Sequence, residues 1–306
     1  MTRLAQAPLP LQLLACSFLW GTAFLLMKLI GADIGPVPLA AVRGLMGATL
    51  IGGWFVVCGA NILPRGREWR DWAVLGLVQG AIPNTLTVYA LTQIPAGMTS
   101  LIQASTPLIV AVLAHLMFAD ERLTWRRGAG VLLGFSGMAI LLGPAVLGGS
   151  SGSLAGVLAM GATALSYAVG NLYVRSIPNP QAGRLAFGQQ LFSGLPLTVA
   201  ALALGGMSAF AAVPSHLVTL AVLGVFATAL PIALYMNILR LAGPTRGSMN
   251  GYLVPVWTIL LGVAVLGETV GLREAAGGAV VLAGIAVAGM KGRPAAAPSA
   301  LSPKAA

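Results

Sequence analysis

Acidic side chains are the scarcest chemistry in this sequence. There are seven Asp and Glu among 306 residues, and Asp33, Glu68, Asp71, Asp120, Glu121, Glu268 and Glu274 all sit at the ends of apolar runs or between them. A proton-coupled membrane carrier usually titrates a carboxylate inside its spans, so the scarcity weighs against carboxylate-based proton coupling. The same shortage weighs against a membrane-embedded enzyme acting on lipid-linked substrates, which needs convergent carboxylate, histidine or serine chemistry. Cysteine is as scarce: Cys16 and Cys58 lie in separate apolar runs, which excludes a disulfide framework and a cysteine metal set. No phosphate-binding loop, zinc spacing or catalytic triad is present, so no catalytic residue, metal or cofactor is expected. His115 and His216 could titrate, but a histidine satisfied by packing is the commoner case.

What is abundant is apolar surface. The chain is 58% hydrophobic and 8% charged, and its mean hydropathy is +0.91, outside the range of soluble domains. Ten apolar stretches of spanning length are expected, at Leu9–Leu29, Pro36–Cys58, Trp72–Thr92, Ala96–Phe118, Gly128–Leu147, Leu154–Val174, Leu185–Leu204, Leu217–Leu239, Gly247–Leu266 and Ala275–Met290. The longest connection, Gly59 to Asp71, is about 13 residues, too short for a soluble domain. Residues 291–306, rich in Pro, Ala and Ser, read as a disordered tail. The first span lacks a cleavage site and is expected to be retained.

The net charge of +10 is read as membrane orientation and not as nucleic-acid binding. With the amino terminus inside, 14 of the 17 Lys and Arg fall on the cytoplasmic side, from Arg3 through Arg65, Arg67 and Arg70 to Lys304. Both termini are therefore expected to be cytoplasmic in a multi-pass protein of the bacterial inner membrane.

An internal repeat underlies this pattern. An offset of 148 lays "VLGLVQGAIPNTL" from Val74 on "VLGVFATALPIAL" from Val222, pairing Pro83 with Pro231, Ser100 with Ser248 and Pro107 with Pro255. At an offset of 147, Trp20 meets Tyr167, Lys28 meets Arg175 and Arg43 meets Gln190. Five spans per half invert the second copy, and the basic loops switch sides as inversion demands. The expected fold is all-α and integral to the membrane: ten transmembrane helices built as two five-helix inverted repeats, residues 9–147 and 154–290, around a central cavity.

The residues "FLWGTAFLLMK" (Phe18–Lys28), "VRGLMGA" (Val42–Ala48), "SLIQASTPLIVAVLAHLMFADERLT" (Ser100–Thr124) and "GSMNGYLVPVWTILLGVAVLGETV" (Gly247–Val270) resemble the drug/metabolite transporter superfamily, in particular its ten-span EamA-type members. The resemblance covers Leu11 to Met290. It implies a basket in which spans one to four and six to nine surround a substrate cavity and spans five and ten pack peripherally, often at a dimer contact. It further implies export of small metabolites with amino acids prominent, the nearest branch being the aromatic amino acid exporters.

Within the spans, Lys28 and Arg43 are the intramembrane cations, and a central charge costs about 2.5–3.5 kcal/mol on insertion scales. Lys28 either snorkels to the surface or serves the cavity. Arg43 either meets a substrate carboxylate or phosphate, or ties down broken-helix carbonyls or an outer gate. Gln79, Pro83 and Thr87 share a helix face bordered by Asn84. Gln103 shares one with Ser100 and Pro107, and Tyr252 with Ser248 and Pro255, while Asn250 lies on another side. These groups either line a cavity or hydrogen-bond between helices. Trp20, Tyr89, Tyr167, Tyr235, Tyr252 and Trp257 could line a cavity for a flat or apolar side chain, with Gln189 and Gln190 extending the polar set. Pro83, Pro107, Pro231 and Pro255 are candidate kinks for gating. The expected partner is a small-molecule substrate, an amino acid or similar metabolite. Drugs or sugar-phosphate-like molecules are the alternative. Glycine stripes on spans five and ten serve either packing within the bundle or a homodimer.

Overall fold

The computed structural model describes residues 8–59, 61–117, 123–147, 151–178, 181–232, 234–235, 238 and 250–289. Among these the chain makes ten helical passes. Span one is Leu9–Ile34, span two Pro36–Val57, span three Glu68–Gln93, span four Ala96–Met117 and span five Trp125–Leu147. Span six is Ser151–Arg175, span seven begins at Ala182, span eight begins at Pro214, span nine is Asn250–Leu266 and span ten Leu272–Gly289. Seven of the ten are long and apolar enough by themselves to cross a membrane. The outward faces are strongly apolar: Leu132, Leu158, Val199 and Val218 are each more than 60% exposed. In water that surface would drive aggregation; in hydrocarbon it is solvated.

Helix boundaries follow local chemistry. Spans one and two meet at Gly35, whose φ of +84° suits glycine, and Pro36 starts the second helix where its missing N–H costs nothing. Span nine ends at Gly267, again in the left-handed region at φ +64°.

The packing is two-fold in pattern. Span two lies along span seven, five along ten, and four along nine. Spans nine and one pair as four and six do, and spans three and seven as eight and two do. Each pairing maps onto itself or another when the halves exchange, as an internal two-fold requires. Small residues permit the closest crossings. A Cβ on Gly44 would come 2.7 Å from Gly194 N, and one on Gly137 would come 2.6 Å from Val281 N. The glycine stripe of span five, Gly134 and Gly137, is thus used against Gly277, Val281 and Gly284 of span ten inside the chain.

The halves also share a backbone irregularity. Span three widens to a π-helical turn at Gly76–Ala81, and span eight does so at Val225–Ala229, the positions that the 148-residue offset superposes. Each turn ends just before the paired prolines, Pro83 and Pro231. A π-turn re-aims the side chains that follow it and leaves carbonyls short of donors.

Candidate substrate site

Those orphaned carbonyls organise the polar interior. Pro83 cannot donate back along span three. Val78 O is instead taken by Ser166 Oγ at 2.6 Å, and Gln79 O by Gln189 Nε2 at 3.0 Å, tying spans six and seven to the third. In span four the α-helix stops at Ala104 and restarts at Thr106. Pro107 frees Gln103 O, which accepts from Thr106 Oγ1 at 2.6 Å. In span eight Thr228 Oγ1 donates to Leu223 O at 3.0 Å, five residues back, and so serves the second π-turn.

Arg43 lies between the two irregular segments. Its Nη1 donates to Asn84 Oδ1 at 3.1 Å and approaches Met27 Sδ at 3.3 Å, and its Nε points to Thr228 Oγ1 at 3.4 Å. Asn84 follows the first π-turn and Thr228 is within the second, so one guanidinium is bracketed by equivalent features of both halves. Tyr167 of span six is within electrostatic reach of it. Asn84, Met27 and Thr228 are buried, whereas Arg43 and Tyr167 keep some accessible surface, as side chains lining an internal space do. Among the described residues no carboxylate is within ion-pair distance of Arg43, and its Nη2 has no acceptor. Among the described residues the guanidinium thus faces only neutral groups, Asn84, Met27 and Thr228.

The EamA-like transporter family model matches residues 10–143 and 150–290. The chain belongs to that family. It is 27% identical over 266 residues to the uncharacterized inner membrane transporter YedA of Escherichia coli (strain K12), covering 86% of this chain and 84% of that protein. It is 30% identical over 282 residues to a WAT1-related chloroplastic protein of Arabidopsis thaliana, covering 88% and 66%, and 23% identical to an uncharacterized transporter of Archaeoglobus fulgidus, covering 87% and 93%. A crystal structure that is 22% identical matches with a TM-score of 0.64 over 90% of this chain and 94% of that one, which bears on the fold alone.

In this EamA-like chain the other expected site residues fall into distinct places. Trp20 stacks obliquely on Tyr235, ring centroids 5.1 Å apart, within a cluster that includes Leu13, Cys16, Leu230 and Leu253. Gln79 turns its amide to Asn171 Oδ1 at 2.8 Å instead of to Arg43. Gln190, paired with Arg43 by the repeat, is buried over Gly47, where a Cβ would collide with its amide. Gln103 is partly accessible. Asn250 is buried, and its Oδ1 has no partner among the described residues. The Tyr252 side chain and Ser248 lie outside the described residues. Trp257 Nε1 donates to Ser17 Oγ at 3.1 Å and its ring meets Phe18 edge-on at 5.3 Å, while Tyr89 is 37% exposed; neither is joined to the Arg43 group. Pro231 O accepts from Cys16 Sγ at 3.4 Å, and Pro255 sits inside a helix that runs unbroken from Asn250 to Leu266.

Two roles were not foreseen. Thr228 shares its apolar run with Thr219 and Tyr235 and is marked only by its alignment with Gly80 of the first π-turn. Arg184 reads as an orientation charge, yet it is buried. It grips Glu68 through Nη2 at 2.6 Å and Nε at 3.0 Å, and it also donates to Leu63 O and Asn61 O, clamping the connection before span three.

Proposed function

We propose that this transporter is a carrier and not an enzyme, and that it moves small neutral amino acids, aromatic ones included, out of the cell by alternating access. The observation that carries the reading is Arg43, a guanidinium without a carboxylate partner among the described residues and bracketed by both halves of the repeat. It suits one carboxylate, which would add the charge-assisted, bidentate contact that Asn84 and Thr228 do not supply. A single such cation fits an amino acid better than a sugar phosphate, whose charge calls for several. The Trp20–Tyr235 pair is the aromatic surface assigned to the side chain of the substrate. The absence of a mid-span carboxylate in the sequence favours facilitation or exchange over proton coupling. A bacterial inner membrane location accords with the description of the YedA relative as an inner membrane transporter.

The test is counterflow of radiolabelled Trp, Phe, Thr and Met by the purified full-length protein in liposomes, with and without an imposed pH gradient. Accumulation of any of them only down its own gradient supports the proposal. Uphill movement driven by the pH gradient refutes the facilitative mechanism, and no movement of any amino acid refutes the substrate class.

A further inference from the structure

Met27, which Arg43 approaches, belongs to an apolar cluster that continues along spans one, three and eight. Ile30, Ile34, Val88, Leu91, Leu220 and Leu223 are buried in one cluster, which Ala96 joins and against which Leu266 packs. Polar contacts border this plug. Lys28 Nζ donates to Ile94 O at 2.8 Å and pairs with Glu268 Oε1 at 3.2 Å. The same carboxylate accepts from Ala96 N at 2.8 Å and Gly97 N at 3.4 Å, the first N–H groups of span four. One side chain at the end of span nine therefore holds span one and the joint between spans three and four together.

The backbone is arranged for this. Gly267 at φ +64° turns the chain out of span nine, and a Cβ on Gly262 would come 2.6 Å from Glu268 Oε2, so the carboxylate lies over a position with no side chain. The side chains of Lys28 and Glu268 are 26% and 12% exposed, which shields the pair more than a surface ion pair. They also line an open groove with Thr92, Gln93 and Pro95.

We infer that Glu268 is the positioning residue that keeps this mouth shut: while it bridges Lys28 and the start of span four the plug stays packed, and its release opens the Arg43 site to that side. The device needs no proton or ion, only competition between this bridge and the open packing. It rests on the chain being a transporter and not on the identity of the substrate.

The test reads accessibility instead of transport. In a full-length background with Cys16→Ala and Cys58→Ala, Val88→Cys places a thiol inside the plug. Its labelling by a membrane-impermeant maleimide is followed in spheroplasts and in inverted vesicles. Glu268→Gln and Lys28→Met are each expected to speed labelling from the Lys28 side roughly fivefold, the population shift that follows loss of about 1 kcal/mol. Lys28→Arg, which keeps the charge, should stay near the reference rate. Lys28→Met leaves the acceptor for Ala96 and Gly97 in place, so it keeps the test decisive if Glu268→Gln does not fold. Unchanged labelling in folded Lys28→Met overturns the inference. So does an equal rise from both sides accompanied by a lower melting temperature, which is the mark of a merely structural bridge.

Discussion

Arg43 Nη1 and Asn84 Oδ1 are 3.1 Å apart, a charged donor resting on a neutral acceptor. Such a contact orients the guanidinium without discharging it. Arg43→Gln is therefore expected to weaken substrate binding about 10- to 100-fold, the range of about 1.5–3 kcal/mol for a charge-assisted hydrogen bond. Arg43→Lys should recover part of this but lose the planar, bidentate geometry. Equilibrium binding of labelled substrate to detergent-solubilised protein checks both. Normal binding by Arg43→Gln, or loss of folded protein with no binding defect in what remains, would make Arg43 a structural tie.

The capture of Val78 O by Ser166 Oγ at 2.6 Å gives a prediction about stability. Ser166→Ala removes the donor and leaves a partly buried carbonyl at the π-turn unpaired, at a cost of about 1 kcal/mol. The melting temperature should fall by several degrees. Because this contact joins spans three and six and makes no hydrogen bond to Arg43, substrate affinity should change little. An unshifted melting temperature would mean that the carbonyl finds another donor.

Much of this architecture is legible in the sequence because its signals are local or repeated. Membrane-length runs and the paired prolines depend on nothing but composition and spacing, and among the described residues they foretell ten helical passes. Arg43 stands out for the same reason, as a charge in an apolar run. The π-turns do not. Widening a helix by one residue leaves composition untouched and shifts only the register, and Gln79, inside that turn, sends its amide to Asn171, a partner that no spacing marks. Lys28 shows the other limit. Its partner Glu268 comes from the far end of the chain, and no periodicity links them.

The crossing of spans five and ten depends on an absent side chain. A Cβ on Gly284 would run into the backbone of Gly134 and come 2.7 Å from Gly130 O, and backbone cannot rotate aside. Gly284→Leu should separate the two helices and sharply reduce the yield of monodisperse protein, whereas Leu132→Ala on the exposed face of span five should not. Size-exclusion chromatography of the two variants makes the comparison, and an intact, monodisperse Gly284→Leu would remove this helix pair from the set of contacts that stabilise the fold.

Orientation follows from the charge distribution and can be read directly. A reporter fused after Arg67 should be active on the cytoplasmic side and one fused after Ser151 on the outer side. The reverse pattern would place the Lys28–Glu268 bridge at the inner mouth. Its role as a latch would survive, but the side from which it admits substrate would change.

Substitution at Trp20 tests whether the aromatic pair sorts substrates. Trp20 and Tyr235 are packed ring on ring at 5.1 Å, so removing one also loosens the other. If this surface receives the side chain of the substrate, Trp20→Ala should reduce transport of Trp and Phe more than that of Thr or Met. Loss of an aromatic contact weakens the flat substrates by about 0.5–1.5 kcal/mol beyond area alone, a several-fold change. If the wall only stiffens span one against span eight, all four substrates should decline together with the melting temperature. Side-by-side rates for the four amino acids, normalised to folded protein, decide between them, and preserved relative rates would move the recognition of the side chain elsewhere in the cavity.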